Sequence, residues 1–241
     1  MATFRNIVFI AALAGLVAGL AMTAMQYVGT VPMIMAAETF EGAEPAHDHA
    51  AHDHATGSGS TVAAQTHEHD EGAWAPQDGL ERSAYTAVAN IVTAMGFALL
   101  LVAASELKGG LTGWRQGVFW GLAGFAVFTL APGLGLPPEL PAVPAADLEQ
   151  RQIWWAATAL STGIGLALLV FQRSLPLAIL GVALLVVPHL VGAPQPATFD
   201  SPVPASLTQA FIAVASLASF VFWIVLGGVA GYARARVKAS P

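Results

Sequence analysis

Six long apolar runs, separated by short polar or proline-rich segments, constrain the fold of this chain more than any other feature. They cover residues 7–35, 83–107, 115–131, 152–171, 175–191 and 206–231. An α-helix needs about 20 apolar residues to cross the hydrocarbon core of a bilayer. Only 10% of the 241 residues are charged, whereas a soluble domain carries about 25%. The sequence therefore predicts an all-α, polytopic membrane protein with six transmembrane helices.

The charged residues are divided unevenly between the segments that join these runs. With the N-terminus in the cytoplasm, seven of the nine basic residues lie on inside segments and fourteen of the fifteen acidic residues lie outside. Basic residues favour the cytoplasmic side of a membrane. Leaving out the short fifth run would move Arg234, Arg236 and Lys238 outside. We therefore expect six spans with both termini cytoplasmic.

This arrangement divides the chain into three parts. Residues 1–37 form the first transmembrane helix, residues 38–82 a long external loop, and residues 83–241 a five-helix bundle. A signal peptide cleaved near Ala21–Ala24 is the alternative for the first part, although the apolar run continues past that site. Two external loops of the bundle, at about 132–150 and 192–205, are rich in proline and are expected to be rigid and extended.

The external loop is strongly acidic and holds six of the seven histidines. They form three His-x-His pairs around a carboxylate, namely His47/His49, His52/His54 and His67/His69. Imidazole is the commonest protein ligand for borderline divalent metals, and carboxylates complete such sites. In extended backbone, residues i and i+2 point the same way, so each pair can offer two nitrogens to one ion. The pattern predicts capture of a divalent metal; a solvated acidic loop without metal contact is the alternative.

Two further residues could continue that site at the membrane surface. His189 follows Pro188 near the end of the fifth run, and Glu38 lies at the outer end of the first span. Both are expected at the outer surface, so we predict a mouth site that receives metal from the loop. The alternative is an interfacial histidine that bonds to a carbonyl group and a glutamate in water. Asn90 and Gln26 are interpreted as hydrogen-bonding contacts between helices.

Glycines spaced four residues apart recur in three of the apolar runs. They are Gly15/Gly19, Gly117/Gly121 and Gly227/Gly231. Small residues at this spacing let helix backbones approach closely in a membrane. These positions are expected to mark helix–helix contacts.

Several classes of function are disfavoured by what the sequence lacks. There is no cysteine, so thiolate metal sites and iron–sulfur clusters are excluded. A net charge of −6 argues against nucleic-acid binding. No P-loop, G-x-S-x-G or H-E-x-x-H motif is present, so we expect no enzyme activity and no tightly bound cofactor. No acidic or basic residue lies near the middle of a run, which disfavours a proton-coupled carrier.

Four stretches resemble a known family when taken together and in order. They are Val31–Glu41, Trp74–Arg82, Ala131–Trp155 and Pro188–Pro196. With the spans between them they resemble the CbtA family, the predicted cobalt transporter subunits. The resemblance implies cobalt import for cobalamin synthesis, together with CbtB, a small single-span membrane partner with a histidine-rich tail. The family is usually described with five spans, whereas the charges here predict six.

Three functions remain open at this point. The first is a metal uptake subunit in the lipid bilayer, with Co²⁺ as its substrate or with Ni²⁺ or Zn²⁺ in its place. The second is a membrane metal-binding module or sensor that does not transport. The third is a structural membrane subunit whose histidines bind nothing.

Overall fold

The structure is a computed structural model that describes residues 2–41, 76–77 and 79–239, and those residues are helical or form connecting segments without β-strands. The α-helices are α1 (Ala2–Val28), α2 (Thr30–Glu38), α3 (Leu80–Glu106), α4 (Trp114–Phe125), α5 (Ala131–Gly133), α6 (Leu148–Phe171), α7 (Leu175–Val191) and α8 (Ala205–Ala239). A π-helical segment, Ala126–Leu130, joins α4 to α5 without a break. The all-α prediction is confirmed.

Among the residues that the structure describes, four helices are long and apolar enough to cross a membrane: Phe4–Val28, Leu80–Glu106, Leu148–Phe171 and Ala205–Val237. The other two predicted spans are also helical. One is the continuous run from α4 to α5, and the other is α7, which has 17 residues. A polytopic helical protein is therefore supported, while the number of six crossings stays a prediction.

Two of the differences between the helix boundaries and the sequence prediction have local causes. The first apolar run forms two helices, because Pro32 cannot donate to the carbonyl group of Val28 and its ring crowds that carbonyl. The helical structure is interrupted at Gly29, between α1 and α2. α6 begins at Leu148, earlier than predicted, because the Asp147 carboxylate accepts a hydrogen bond from the backbone N–H of Gln150 at 3.0 Å. This is the N-cap interaction that favours a helix start.

Glycine contacts hold the helices together in antiparallel pairs. Gly15 and Gly19 of α1 lie against the backbone of Met95 and Ile91 of α3. The glycine pairs of α4 and α8 face each other, with Gly117 against Gly227 and Gly231, and Gly121 against Gly227. Gly165 of α6 meets Gly181 of α7. The expected close contacts at the three glycine pairs are confirmed.

The bundle has two distinct ends. At the end we call the basic end, Glu106 pairs with Arg234 and the Lys108 ammonium lies 4.5 Å from the ring centroid of Phe171. At the opposite end, which we call the loop end, Glu38 pairs with Arg82 on either side of residues 42–75. Gly29 lies beside Val214, so α8 begins near the end of α1 and runs back along it. The N-terminus of α1 and the C-terminus of α8 therefore lie at the basic end.

The proline-rich segments cover the loop end. Leu140 and Val203 pack with Ala37 of α2 and Phe211 of α8 in a small buried cluster. The Ser201 hydroxyl also donates a hydrogen bond to the carbonyl oxygen of Ala142 at 3.4 Å. The two segments therefore contact each other and α2.

Two basic residues lie at the acidic loop end, and one acidic residue lies at the basic end. Each of the three has an ion-pair partner. Arg82 pairs with Glu38, Arg151 with Glu139 at 2.6 Å, and Glu106 with Arg234 at 2.6 Å. Pairing reduces the cost of holding a charge beside an apolar environment. These exceptions to the charge pattern are therefore locally neutralised.

The outer surface of the bundle is apolar at mid-helix. Val92, Phe119, Leu160 and Leu217 are 63% to 72% exposed. Large exposed apolar surfaces are rare on soluble monomers. An exposed apolar surface of this kind is suited to contact with lipid.

Candidate functional site

The six loop histidines lie outside the residues that the structure describes. They are His47, His49, His52, His54, His67 and His69. The metal site predicted for them is neither supported nor contradicted by the geometry, and it stays a prediction. Glu38 and His189, the two other predicted ligands, are described.

Glu38 is the last residue of α2, and its carboxylate binds Arg82 in the first turn of α3. Arg82 Nη1 donates to Glu38 Oε2 at 3.3 Å, and Arg82 Nη2 donates to Glu38 Oε1. Paired guanidinium–carboxylate contacts of this kind are among the strong hydrogen bonds in proteins. The pair links the residues on either side of the histidine loop, so the loop leaves and returns at one point of the loop end.

His189 lies in the last turn of α7 and is half-buried. Its ring meets the ring of Trp154 edge to face, with centroids 6.1 Å apart and planes at 70°. The indole nitrogen of Trp154 is buried and has no hydrogen-bond partner among the described residues. Pro188 precedes His189 and cannot donate to the carbonyl group of Leu184. This corner of the loop end therefore contains polar groups with unused hydrogen-bonding capacity.

The described residues contain no group of three or more histidine or acidic side chains that could hold a metal ion. Glu38 contacts Arg82, and His189 contacts Trp154. Both residues lie at the loop end. A mouth site built from them therefore needs further ligands from the histidine loop.

A partly open cavity of about 200 Å³ was not predicted from the sequence, and Thr93 in its lining is exposed. It lies between α1, α3, the π-helical segment and α8. The lining residues that carry oxygen, nitrogen or sulfur in their side chains include Met22, Asn90, Thr93, Thr129 and Ser219. Thr93 is the central residue of the 27-residue helix α3, so the cavity lies at half the height of the bundle.

Hydrogen bonds beside the cavity join α1 to α3. Asn90 Nδ2 donates to Thr23 Oγ1 at 3.0 Å and to Gln26 Oε1 at 2.6 Å. Thr23 Oγ1 in turn donates to the carbonyl oxygen of Gly19 at 2.9 Å. The interpretation of Asn90 and Gln26 as contacts between helices is confirmed. Nothing in the sequence indicated that Asn90 also lines a cavity.

The π-helical segment shapes one wall of this cavity. Pro132 follows it, and a proline at that position removes the hydrogen bond to the carbonyl group of Phe128 and crowds it. The helix widens instead, and the N–H of Ala131 bonds to the carbonyl oxygen of Ala126, five residues earlier. Thr129 Oγ1 accepts a hydrogen bond from Trp223 Nε1 of α8 at 3.2 Å. π-Helical turns occur frequently at functional sites.

Comparison with known proteins identifies the family but supplies no structural template. No curated protein and no solved structure matches the chain. A family model described as "Probable cobalt transporter subunit (CbtA)" matches residues 4–235, which is nearly the whole chain. That family consists of transporter subunits rather than enzymes. The chain belongs to the CbtA family.

Proposed function

We propose that this protein is the membrane subunit of a divalent metal uptake system with Co²⁺ as its cargo. The histidine loop captures the ion and the bundle passes it inward. The observation that carries the proposal is the Glu38–Arg82 pair, which fixes both flanks of the loop at one end of an apolar bundle. Family membership over residues 4–235 supports cobalt in preference to nickel or zinc.

The packing supports an even number of crossings. The N-terminus of α1 and the C-terminus of α8 lie at the basic end, because Glu106 pairs with Arg234 and Gly29 lies beside Val214. Basic residues favour the cytoplasm, so this end faces inward and the histidine loop faces outward. Six crossings with cytoplasmic termini, in the inner membrane of a bacterium, satisfy both observations.

The decisive experiment compares metal accumulation in cells with and without this chain, across Co²⁺, Ni²⁺ and Zn²⁺. Uptake that depends on the chain, and that is largest for Co²⁺, is the expected result. Equal accumulation in both strains would contradict transport and leave a non-transporting metal-binding module. Larger uptake of Ni²⁺ or Zn²⁺ would assign that ion as the cargo and leave the proposed mechanism unchanged.

His189 and Glu38 form part of the site that accepts metal from the loop. His189→Ala is expected to lower uptake severalfold at limiting metal, because the imidazole nitrogen is lost while the chain around it is retained. Glu38→Ala should do the same. Uptake of ⁵⁷Co by cells, normalised to the amount of protein in the membrane, measures both effects.

Arg82→Ala is the matched control for Glu38→Ala, because it breaks the same ion pair and keeps the carboxylate. Both variants release the loop flanks, so a clearly larger loss of uptake in Glu38→Ala than in Arg82→Ala supports a ligand role. Equal loss in the two variants would assign Glu38 a structural role only. Unchanged uptake in His189→Ala and Glu38→Ala would remove the mouth site.

Metal capture by the loop should weaken in acid. Imidazole must be neutral to bind a metal, and its ordinary pKa is about 6.5. Affinity is therefore expected to be high near pH 7.5 and to fall as the histidines protonate toward pH 5.5. Equilibrium dialysis of Co²⁺ against the purified full chain in detergent measures this dependence. Affinity that stays constant over that range would contradict imidazole ligation.

A transporter subunit acts with other subunits, and a small single-span, histidine-rich protein of the CbtB type is the proposed partner. Its histidine tail would extend the metal-binding surface beside the loop. Co-purification of such a protein with this chain from bacterial membranes tests the assignment. Recovery of this chain alone, from cells that produce both proteins, would contradict it.

A further inference from the structure

We infer that the cavity between α1, α3, the π-helical segment and α8 is the intramembrane site through which a partly hydrated divalent cation passes. The inference rests on the proposed function and adds the residues that would receive the ion below the loop end. The cavity is at mid-height of the bundle, where Thr93 is the central residue of α3. An ion that crosses the bundle needs a polar site at this depth, because an unsolvated charge there is very costly.

The cavity offers neutral oxygen donors and one thioether. Both N–H groups of Asn90 are used by Thr23 and Gln26. Its Oδ1 atom accepts no hydrogen bond from the described part of the chain and is left for a ligand. Hydroxyl groups of Thr93, Thr129 and Ser219 and the sulfur of Met22 complete the lining. Amide and hydroxyl oxygens can coordinate hard and borderline cations, and thioethers bind softer ones.

The size of the cavity suits an ion that keeps part of its water shell. The volume of about 200 Å³ leaves room for an ion together with several water molecules. No acidic or basic side chain is among the lining residues. Neutral ligands bind a divalent ion less tightly than carboxylates would, and a transit site must release its ion. This lining therefore fits passage better than storage.

Aromatic rings make up most of the remaining cavity lining. The rings of Phe128 and Trp223 are stacked, with centroids 5.7 Å apart and planes at 6°. Phe97 lies 5.1 Å from Phe128 and 5.0 Å from Trp223 between ring centroids. These rings form the apolar part of the lining, so the oxygen atoms of Asn90 and of the hydroxyl groups are the donors that would hold the cation.

Asn90→Leu and Gln26→Leu form a matched pair that tests the oxygen donor. Each variant breaks the hydrogen bond between Asn90 and Gln26. Asn90→Leu also removes the hydrogen bond to Thr23 and the lining oxygen, whereas Gln26 does not line the cavity. At saturating Co²⁺, Asn90→Leu is expected to lower chain-dependent ⁵⁷Co uptake about tenfold, while Gln26→Leu stays within about twofold of the wild type. Membrane abundance of each variant is measured in parallel.

Ser219→Ile and Ser216→Ile test whether uptake requires the open volume of the cavity. Both substitutions are made on α8, but only Ser219 lines the cavity. Filling the cavity with a larger, apolar side chain should block uptake in Ser219→Ile and leave Ser216→Ile close to the wild type. Normal uptake by Asn90→Leu and Ser219→Ile, or equal losses in the matched controls, would overturn the inference.

A binding measurement separates this inference from the proposed function. Co²⁺ bound in the cavity should quench the fluorescence of Trp223 in the purified full chain. Quenching should diminish in Trp223→Phe and Asn90→Leu and persist in Gln26→Leu. If no uptake depends on the chain, the proposed function fails, and the inference is then decided by this quenching alone. Quenching that is identical in Asn90→Leu and the wild type would reject the cavity as a cation site.

Discussion

Gly227→Ala is expected to separate α4 from α8 and to reduce the amount of folded protein in the membrane severalfold. A methyl group at Gly227 would overlap the carbonyl oxygen of Gly117 and lie 2.9 Å from the Cα atom of Gly121. The obstructing atoms belong to the backbone, so the whole helix must move to relieve the overlap. Overpacking of a well-packed contact typically costs about 1–3 kcal/mol. In detergent, we expect Tm to fall by roughly 5 °C.

Gly228→Ala is the control on the neighbouring residue. A methyl group there meets only the Val118 side chain, at 3.4 Å. Alanine also favours a helix over glycine by about 1 kcal/mol, so this variant should be as stable as the wild type or more stable. Thermal unfolding followed by circular dichroism compares the two. Equal Tm values for Gly227→Ala and Gly228→Ala would show that the α4–α8 glycine contact is not tight.

Replacing the six loop histidines with alanine is expected to lower Co²⁺ uptake by about tenfold or more when metal is scarce. Imidazole nitrogens hold a borderline divalent ion at the entrance, so removing all six lowers the amount of Co²⁺ that reaches the bundle. The substituted residues are His47, His49, His52, His54, His67 and His69. At saturating metal the loop no longer limits entry, so uptake should approach the wild-type rate. Initial rates of ⁵⁷Co uptake over a range of concentrations measure both limits.

Ser58→Ala with Ser60→Ala is the control for this variant, since it changes the same loop without removing an imidazole. It should transport like the wild type at every concentration. A histidine variant with normal uptake at scarce metal would contradict a capturing role for the loop. Equal loss at scarce and saturating metal would instead indicate that the loop is part of the pathway.

The helical class and the helix positions could be predicted because they depend on local sequence. Apolar length alone located the six helical runs, although it did not show that the first run forms α1 and α2. The glycine pairs Gly117/Gly121 and Gly227/Gly231 marked contact faces correctly. The sequence could not show that these two pairs face each other. Partner choice depends on which helices meet in three dimensions, and the spacing of residues within one helix does not contain that information.

The candidate sites were less predictable for the same reason. Arg82 was not proposed as a partner of Glu38, because 44 residues separate them along the chain. The cavity needs α1, α3, the π-helical segment and α8 together, and Asn90 alone indicated only a helix contact. The π-helical turn has a local cause in Pro132. Proline also kinks or ends helices, so the sequence did not specify which of these responses would occur.

The short length of α7 has a consequence for the lipid around it. Its 17 residues span about 26 Å at 1.5 Å per residue, against a hydrocarbon thickness of about 30 Å. A six-crossing arrangement therefore requires the bilayer to thin beside this helix or its flanking residues to reach toward the headgroups. Activity should then vary with acyl-chain length in reconstituted vesicles, and it should be highest in the thinner membranes.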